Sequence, residues 1–156
     1  MIGLGHVGAV AGLLFWQSAV RQPLNFPHST HVARGIECID CHSRVDSRAE
    51  ASLPSIGKCM LCHRSMAAEK LGLKQLRGYA EKRREIPWVR VYGFERDSHV
   101  KFQHAPHIRA KLACAECHGA VEKMTVAQPV VKHTMGTCIT CHRQRGASTE
   151  CIACHI

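Results

Sequence analysis

The 156-residue sequence predicts a mainly α-helical chain with much irregular structure, short helices and loops, preceded by one N-terminal transmembrane helix. Three observations predict it. Aromatic residues make up only 5% of the chain and strand-like alternation is scarce, so side chains alone give little from which to build a core. One apolar run opens the sequence. Finally, all ten cysteines fall in Cys-x-x-Cys pairs, each followed directly by a histidine.

The apolar run extends from Ile2 to Val20, interrupted only by His6, Gln17 and Ser18. As a helix it would span about 28 Å, close to a bilayer core. No Lys or Arg precedes Arg21, and Gln17-Ser18-Ala19 makes a poor cleavage site, so a retained anchor over 1–21 is expected rather than a signal peptide. Gly8 and Gly12 form a G-x-x-x-G that would let a second membrane helix approach, although glycines are common in such spans anyway.

The cysteine motifs are Cys38, Cys41 and His42; Cys59, Cys62 and His63; Cys114, Cys117 and His118; Cys138, Cys141 and His142; and Cys151, Cys154 and His155. C-x-x-C-H is the attachment signature of c-type haem. Two thiols three residues apart reach the two vinyl groups of one porphyrin, and the adjacent histidine lies under the iron. The signature implies five covalently bound haems, about thirty residues for each, and a fold organised around stacked haems. Structural zinc needs two cysteine pairs per metal and no fixed histidine, and five pairs do not divide that way. A thioredoxin-like dithiol needs one motif in an α/β context. No zinc is expected.

The formal charge of +9 would suit nucleic acid or an anionic membrane. Five haems bring about ten propionates, however, which nearly cancel it. No nucleic-acid partner is expected.

The part that follows the apolar run is duplicated. Phe26, His28, His31, Cys38, Cys41 and His42 recur 76 residues later as Phe102, His104, His107, Cys114, Cys117 and His118. This divides the chain into a two-haem module over 22–64 and a three-haem module over 99–156. Residues 65–98 form a spacer, expected as helix over Ser65–Glu85, ended by Pro87, and then an extended connector over Trp88–Gly93 with no chemistry of its own.

His28/His31 and His104/His107 stand three apart, twice, in the same frame. On one helical turn each pair shares a face and could present imidazoles to two neighbouring irons.

The stretch Val100–Ile156 resembles the small three-haem members of the class III multihaem cytochromes c. That resemblance implies the ligand pairs His28–His42, His31–His63, His104–His118 and His107–His142. It also implies that the partner of His155 comes from Lys132–Gly136, which contains both His133 and Met135. Nearly the whole chain is similar to the pentahaem subunits of alternative complex III, bacterial membrane quinol-oxidising complexes. This likeness rests on the N-terminal apolar helix, the F-x-H-x-x-H repeat, Trp88-Val-Arg-Val-Tyr92 and Met135-Gly136-x-Cys138-x-x-Cys141-His142. It favours Met135 over His133 as the last ligand.

The expected role is therefore an electron-transfer subunit, not an enzyme by itself. It would be anchored in the inner membrane with its haems on the periplasmic side. It would take electrons from iron–sulfur and quinol-oxidising subunits and deliver them to a soluble acceptor protein or an oxidase. The alternative is a multihaem reductase of a small oxyanion, which requires one iron with an open distal position. Four paired histidines, with His133 or Met135 for the fifth site, supply enough ligands to close all five irons.

Overall fold

The structure, a computed structural model, describes residues 20–67 and 69–155, and the expected membrane anchor falls almost wholly outside them. Among the described residues no helix is long and apolar enough to cross a membrane. Eight short α-helices follow in order: α1 His28–Val32, α2 Cys38–Cys41, α3 Ile56–His63, α4 Leu71–Glu81, α5 His104–Arg109, α6 Cys114–His118, α7 Met135–Gln144 and α8 Cys151–Cys154. Two 3-10 turns, Arg96–Ser98 and Val121–Lys123, separate them. The described residues form no β-strand. One isolated antiparallel bridge joins Val100 to His155.

Every cysteine motif sits on a helix, and local capping starts four of the five, all but the Cys151–Cys154 helix. The Glu37 N–H donates to Asp40 Oδ2 at 2.9 Å, and the Ala113 N–H donates to Glu116 Oε1 at 3.0 Å. Asp40 and Glu116 occupy the same place in the first and third motifs, so the duplication extends to the caps. The Ser55 hydroxyl accepts from Lys58 N–H at 3.3 Å, and Thr134 accepts from Thr137 N–H at 3.2 Å.

The spacer differs from its sequence pattern. Helix α4 begins at Leu71, after an extended Lys70 (φ −73°, ψ 140°), not at Ser65. It stops at Glu81, well short of Pro87, because Arg83 adopts the left-handed φ of 49° that closes a helix end. Leu76 is buried as the periodicity requires, whereas Met66 lies outside the helix and exposed.

Side-chain packing is thin. Only Leu24, Leu76, Ile86 and Ala105 are buried among the described residues, and the first three form one cluster with Ile56, Met60, Leu73, Tyr79 and Trp88 around it. A chain of this length normally encloses far more apolar surface.

Candidate functional site

The histidines expected as ligands meet in pairs. Ring centroids lie 6.5 Å apart for His28–His42, 6.0 Å for His31–His63, 6.2 Å for His104–His118 and 6.1 Å for His107–His142. Metal–imidazole bonds are about 2 Å long, so two imidazoles on opposite sides of one ion have centroids about 6 Å apart. The spacing is too wide for ring stacking and right for an ion between the rings. Helices α1 and α5 each hold one H-x-x-H pair, and the motif histidines face them from α3, α6 and α7 and from the end of α2.

The two modules repeat this geometry closely. Phe26 meets His28 edge-on at 4.8 Å and lies over His31 at 4.3 Å, 21° from parallel. Phe102 meets His104 edge-on at 4.9 Å and lies over His107 at 4.7 Å, 32° from parallel. One phenylalanine thus orients both histidines of its module, and the F-x-H-x-x-H spacing reflects that. Trp88 packs on Phe26 and Phe94 packs on Phe102, so the spacer braces both modules.

The second ring nitrogens show how the imidazoles are held. Nδ1 donates to a backbone carbonyl at His31 (Pro27, 2.9 Å), His42 (Ser52, 2.9 Å), His104 (Ala49, 2.7 Å), His107 (Gln103, 2.7 Å), His142 (Ser148, 2.5 Å) and His155 (Ser98, 3.0 Å). That bond fixes the tautomer with Nε2 bearing a lone pair, the form that ligates a metal, and raises its basicity. His28 and His63 keep buried Nδ1 atoms with no partner. Burial, then His42 and His31, lowers the His28 pKa to about 4, and burial followed by neighbouring histidines lowers those of His63 and His118. The shift favours the neutral ring at all three.

His133 behaves differently. Its Nε2–H donates to the Cys117 carbonyl at 2.7 Å, and its ring stacks on Tyr92 at 4.7 Å. Met135 opens α7 and is 68% exposed. The carbonyl bond at His133 Nε2 leaves the lone pair on Nδ1, so this geometry does not choose between the two.

The second motif departs from the other four, although the sequence presents all five alike. In the first, third, fourth and fifth motifs the leading cysteine is exposed and the trailing one half-buried. In the second the order inverts, with Cys59 half-buried and Cys62 exposed. The cause is packing. Helix α3 turns Cys59 against the Leu24, Leu76 and Ile86 cluster, which leaves Cys62 on its open side.

The cysteines also bring the motifs together. Burial raises the Cys38 thiol pKa, and Cys114 beside it, within hydrogen-bonding reach, raises it further. Burial likewise dominates at Cys59 and Cys117, with added effects from Cys41 and Cys141 respectively. At Cys41 burial again raises the pKa most, and Cys62 is close enough to add to the rise. Both thiols of the second motif therefore lie near Cys41. The attachment sites neighbour one another in the order second, first, third, fourth, with Cys38 and Cys114 at the junction of the modules. The Ala49 carbonyl of the first module also accepts from both N–H groups of His104, backbone at 3.2 Å and ring at 2.7 Å.

The donor set fits c-type haem. It supplies thiol pairs on helices, imidazoles paired across the width of one ion, and a side-chain core too small to hold the fold alone. Residues 15–85 match the class III cytochrome c family, and residues 100–156 match the family of cytochrome c7 and related cytochromes c. The chain is a multihaem cytochrome c of the class III and c7 type. This cytochrome is also similar to a menaquinone reductase, multihaem cytochrome c subunit, of Nitratidesulfovibrio vulgaris. The two are 32% identical over 127 residues, covering 75% of this chain and 59% of that protein. The cytochrome thus spans under two thirds of its relative's length.

The residue that the sequence pattern misses is Tyr92. The pattern puts it in a connector without chemistry, yet it touches both His118 and His133. Nothing in residues 88–93 signals this, because the contact depends on segment 129–133 folding back across the connector.

Proposed function

We propose that this cytochrome carries five covalent haems, all with closed irons, and moves electrons within a quinone-linked membrane complex. The four imidazole pairs at 6.0–6.5 Å carry the proposal. They supply both axial ligands to four irons, through His28/His42, His31/His63, His104/His118 and His107/His142. His155 is paired with Met135. The Met135-Gly136-x-Cys138-x-x-Cys141-His142 likeness favours Met135, which is exposed at the start of α7. Each haem supplies one-electron chemistry. The protein's part is to hold the ring planes, keep small ligands off the irons, and set ligand basicity through the Nδ1–carbonyl bonds. Such a chain is not an enzyme by itself.

The modules span 22–64 and 99–156, with 65–98 bracing them, and electrons cross between modules where Cys38 meets Cys114. Ile2–Val20 serves as a membrane anchor that places the haems on the periplasmic face, beside iron–sulfur and quinol-oxidising subunits. An alternative complex III would send electrons from quinol to a soluble acceptor or an oxidase. The name of the menaquinone reductase relative favours the opposite direction, into a quinone. The purified complex decides between them. Menaquinol-dependent reduction of the haems, followed by discharge to a soluble acceptor, supports the first. Haem reduction from the soluble side followed by menaquinone reduction supports the second. Failure of quinone or quinol to exchange electrons with the haems in either direction rejects both.

A further inference from the structure

The proximal histidines of the first, fourth and fifth motifs are held by Nδ1–carbonyl bonds, and His63 is buried at its Nδ1. His118 has neither arrangement. It is surrounded by aromatic rings. The Tyr92 ring meets it edge-on at 4.9 Å and 70°, and the His133 ring meets it at 6.1 Å and 78°. Those two rings stack on each other at 4.7 Å, 25° from parallel.

Both rings are themselves fixed. The Tyr92 hydroxyl oxygen accepts from the backbone N–H groups of Val130 at 3.0 Å and Val131 at 3.2 Å. His133 is tied to the third motif's own backbone through the Cys117 carbonyl. Segment 130–133 lies this close to the motif because residue 119 is glycine. A Cβ there would collide with Val130 Cγ2, and its φ of 69° is left-handed.

We infer that Tyr92 and His133 are positioning residues that clamp the His118 imidazole and set the orientation of the third haem's proximal ligand. The inference rests on the ligand pairing His104–His118. The planes of those two rings are 10° apart, close to the 9° of the first site, whose His42 is held by the Ser52 carbonyl, while the second site has 62° and the fourth 40°. Edge-on rings on one flank of an imidazole resist rotation about its metal bond, because rotation drives ring atoms into van der Waals overlap. The clamp takes the place of the Nδ1–carbonyl bond that holds His42, His142 and His155.

The low-spin ferric EPR signal of a bis-imidazole haem depends on the angle between its imidazole planes, so it reads the clamp directly. The experiment uses the full-length holocytochrome. His104→Ala identifies the third haem by removing one low-spin signal. Tyr92→Leu and His133→Ala are each expected to shift the g-values of that same signal and leave the other signals in place. Tyr92→Phe retains the ring and is expected to restore the original signal. If His104→Ala removes no low-spin signal, the pairing itself is wrong. If it does, but Tyr92→Leu and His133→Ala leave that signal unchanged, the pairing stands and the clamp is overturned. High-spin iron and carbon monoxide binding in His133→Ala would make His133 a ligand and also overturn the clamp. His133→Ala serves alone if Tyr92→Leu fails to mature.

Discussion

A histidine can ligate iron only if one ring nitrogen is free and neutral, and the environment of each imidazole in this chain decides that question. Six histidines donate Nδ1–H to carbonyls and keep Nε2 available, and burial lowers the pKa of His28 and His63. Removing a single ligand therefore exposes a single iron. His31→Ala is expected to convert the haem held by His63 to a high-spin, carbon monoxide-binding form while the other haems keep their spectra. Unchanged spectra would exclude His31 as a ligand. On the proposed Met135 pairing the fifth site differs in kind, because thioether sulfur stabilises ferrous iron relative to imidazole. Its haem should titrate at the highest potential and show a sulfur-to-iron charge-transfer band when ferric. Met135→His should lower that potential and abolish the band, and a silent Met135→Ala would remove Met135 from the ligand set.

Among the elements, the motif helices matter most, and they are very short. Helices α2 and α8 have four residues each and would not persist alone. Thioether attachment at both ends of each Cys-x-x-Cys turn supplies what propensity lacks. Gly119 shows how tightly the third motif closes. Gly119→Ala combines a positive-φ extended backbone that is essentially glycine-only, costing about 1–3 kcal/mol for a residue with a Cβ, with a collision against Val130 Cγ2. The midpoint of thermal unfolding should fall by about 3–8 °C in the holoprotein. A midpoint unchanged within a degree would show that segment 130–133 yields freely. Local sequence signals serve such elements well. The Cys-x-x-Cys-His spacing and the three-residue histidine spacing are both short-range, and both are legible in the sequence. The helical limits of the spacer are not. The charged residues Lys82–Glu85 are compatible with more helix, but Arg83 turns the backbone left-handed, and the extended Lys70 delays the start. The inverted exposure of Cys59 and Cys62 is equally silent, because it depends on what α3 packs against rather than on the motif. Tyr92 gives no local signal either, since its partners His118 and His133 lie 26 or more residues away. Phe94 finds Phe102 only across the Arg96–Ser98 turn.

For the whole molecule, the duplication sets the architecture. Two modules repeat one Phe–His–His arrangement, meet where Cys38 lies beside Cys114, and are braced by Trp88 and Phe94 from the spacer. The side chains alone bury little. On the proposed reading, attached haems would fill the interior that side chains leave small, which would couple folding to attachment. Double replacement of Cys138 and Cys141 by alanine should remove the fourth haem and loosen the three-haem module's packing far beyond the loss of two thiols. Limited proteolysis of that variant should cut within 99–156 and spare 22–64. Equal sensitivity of both modules would mean that they do not fold as separate units. The central claim is five covalent haems with no open iron, and one sample of the mature cytochrome tests it. Intact mass after denaturation should show five haems on the polypeptide, and the native ferrous protein should bind no carbon monoxide. Fewer than five haems in fully matured protein, or stoichiometric carbon monoxide binding to one iron, would contradict the account.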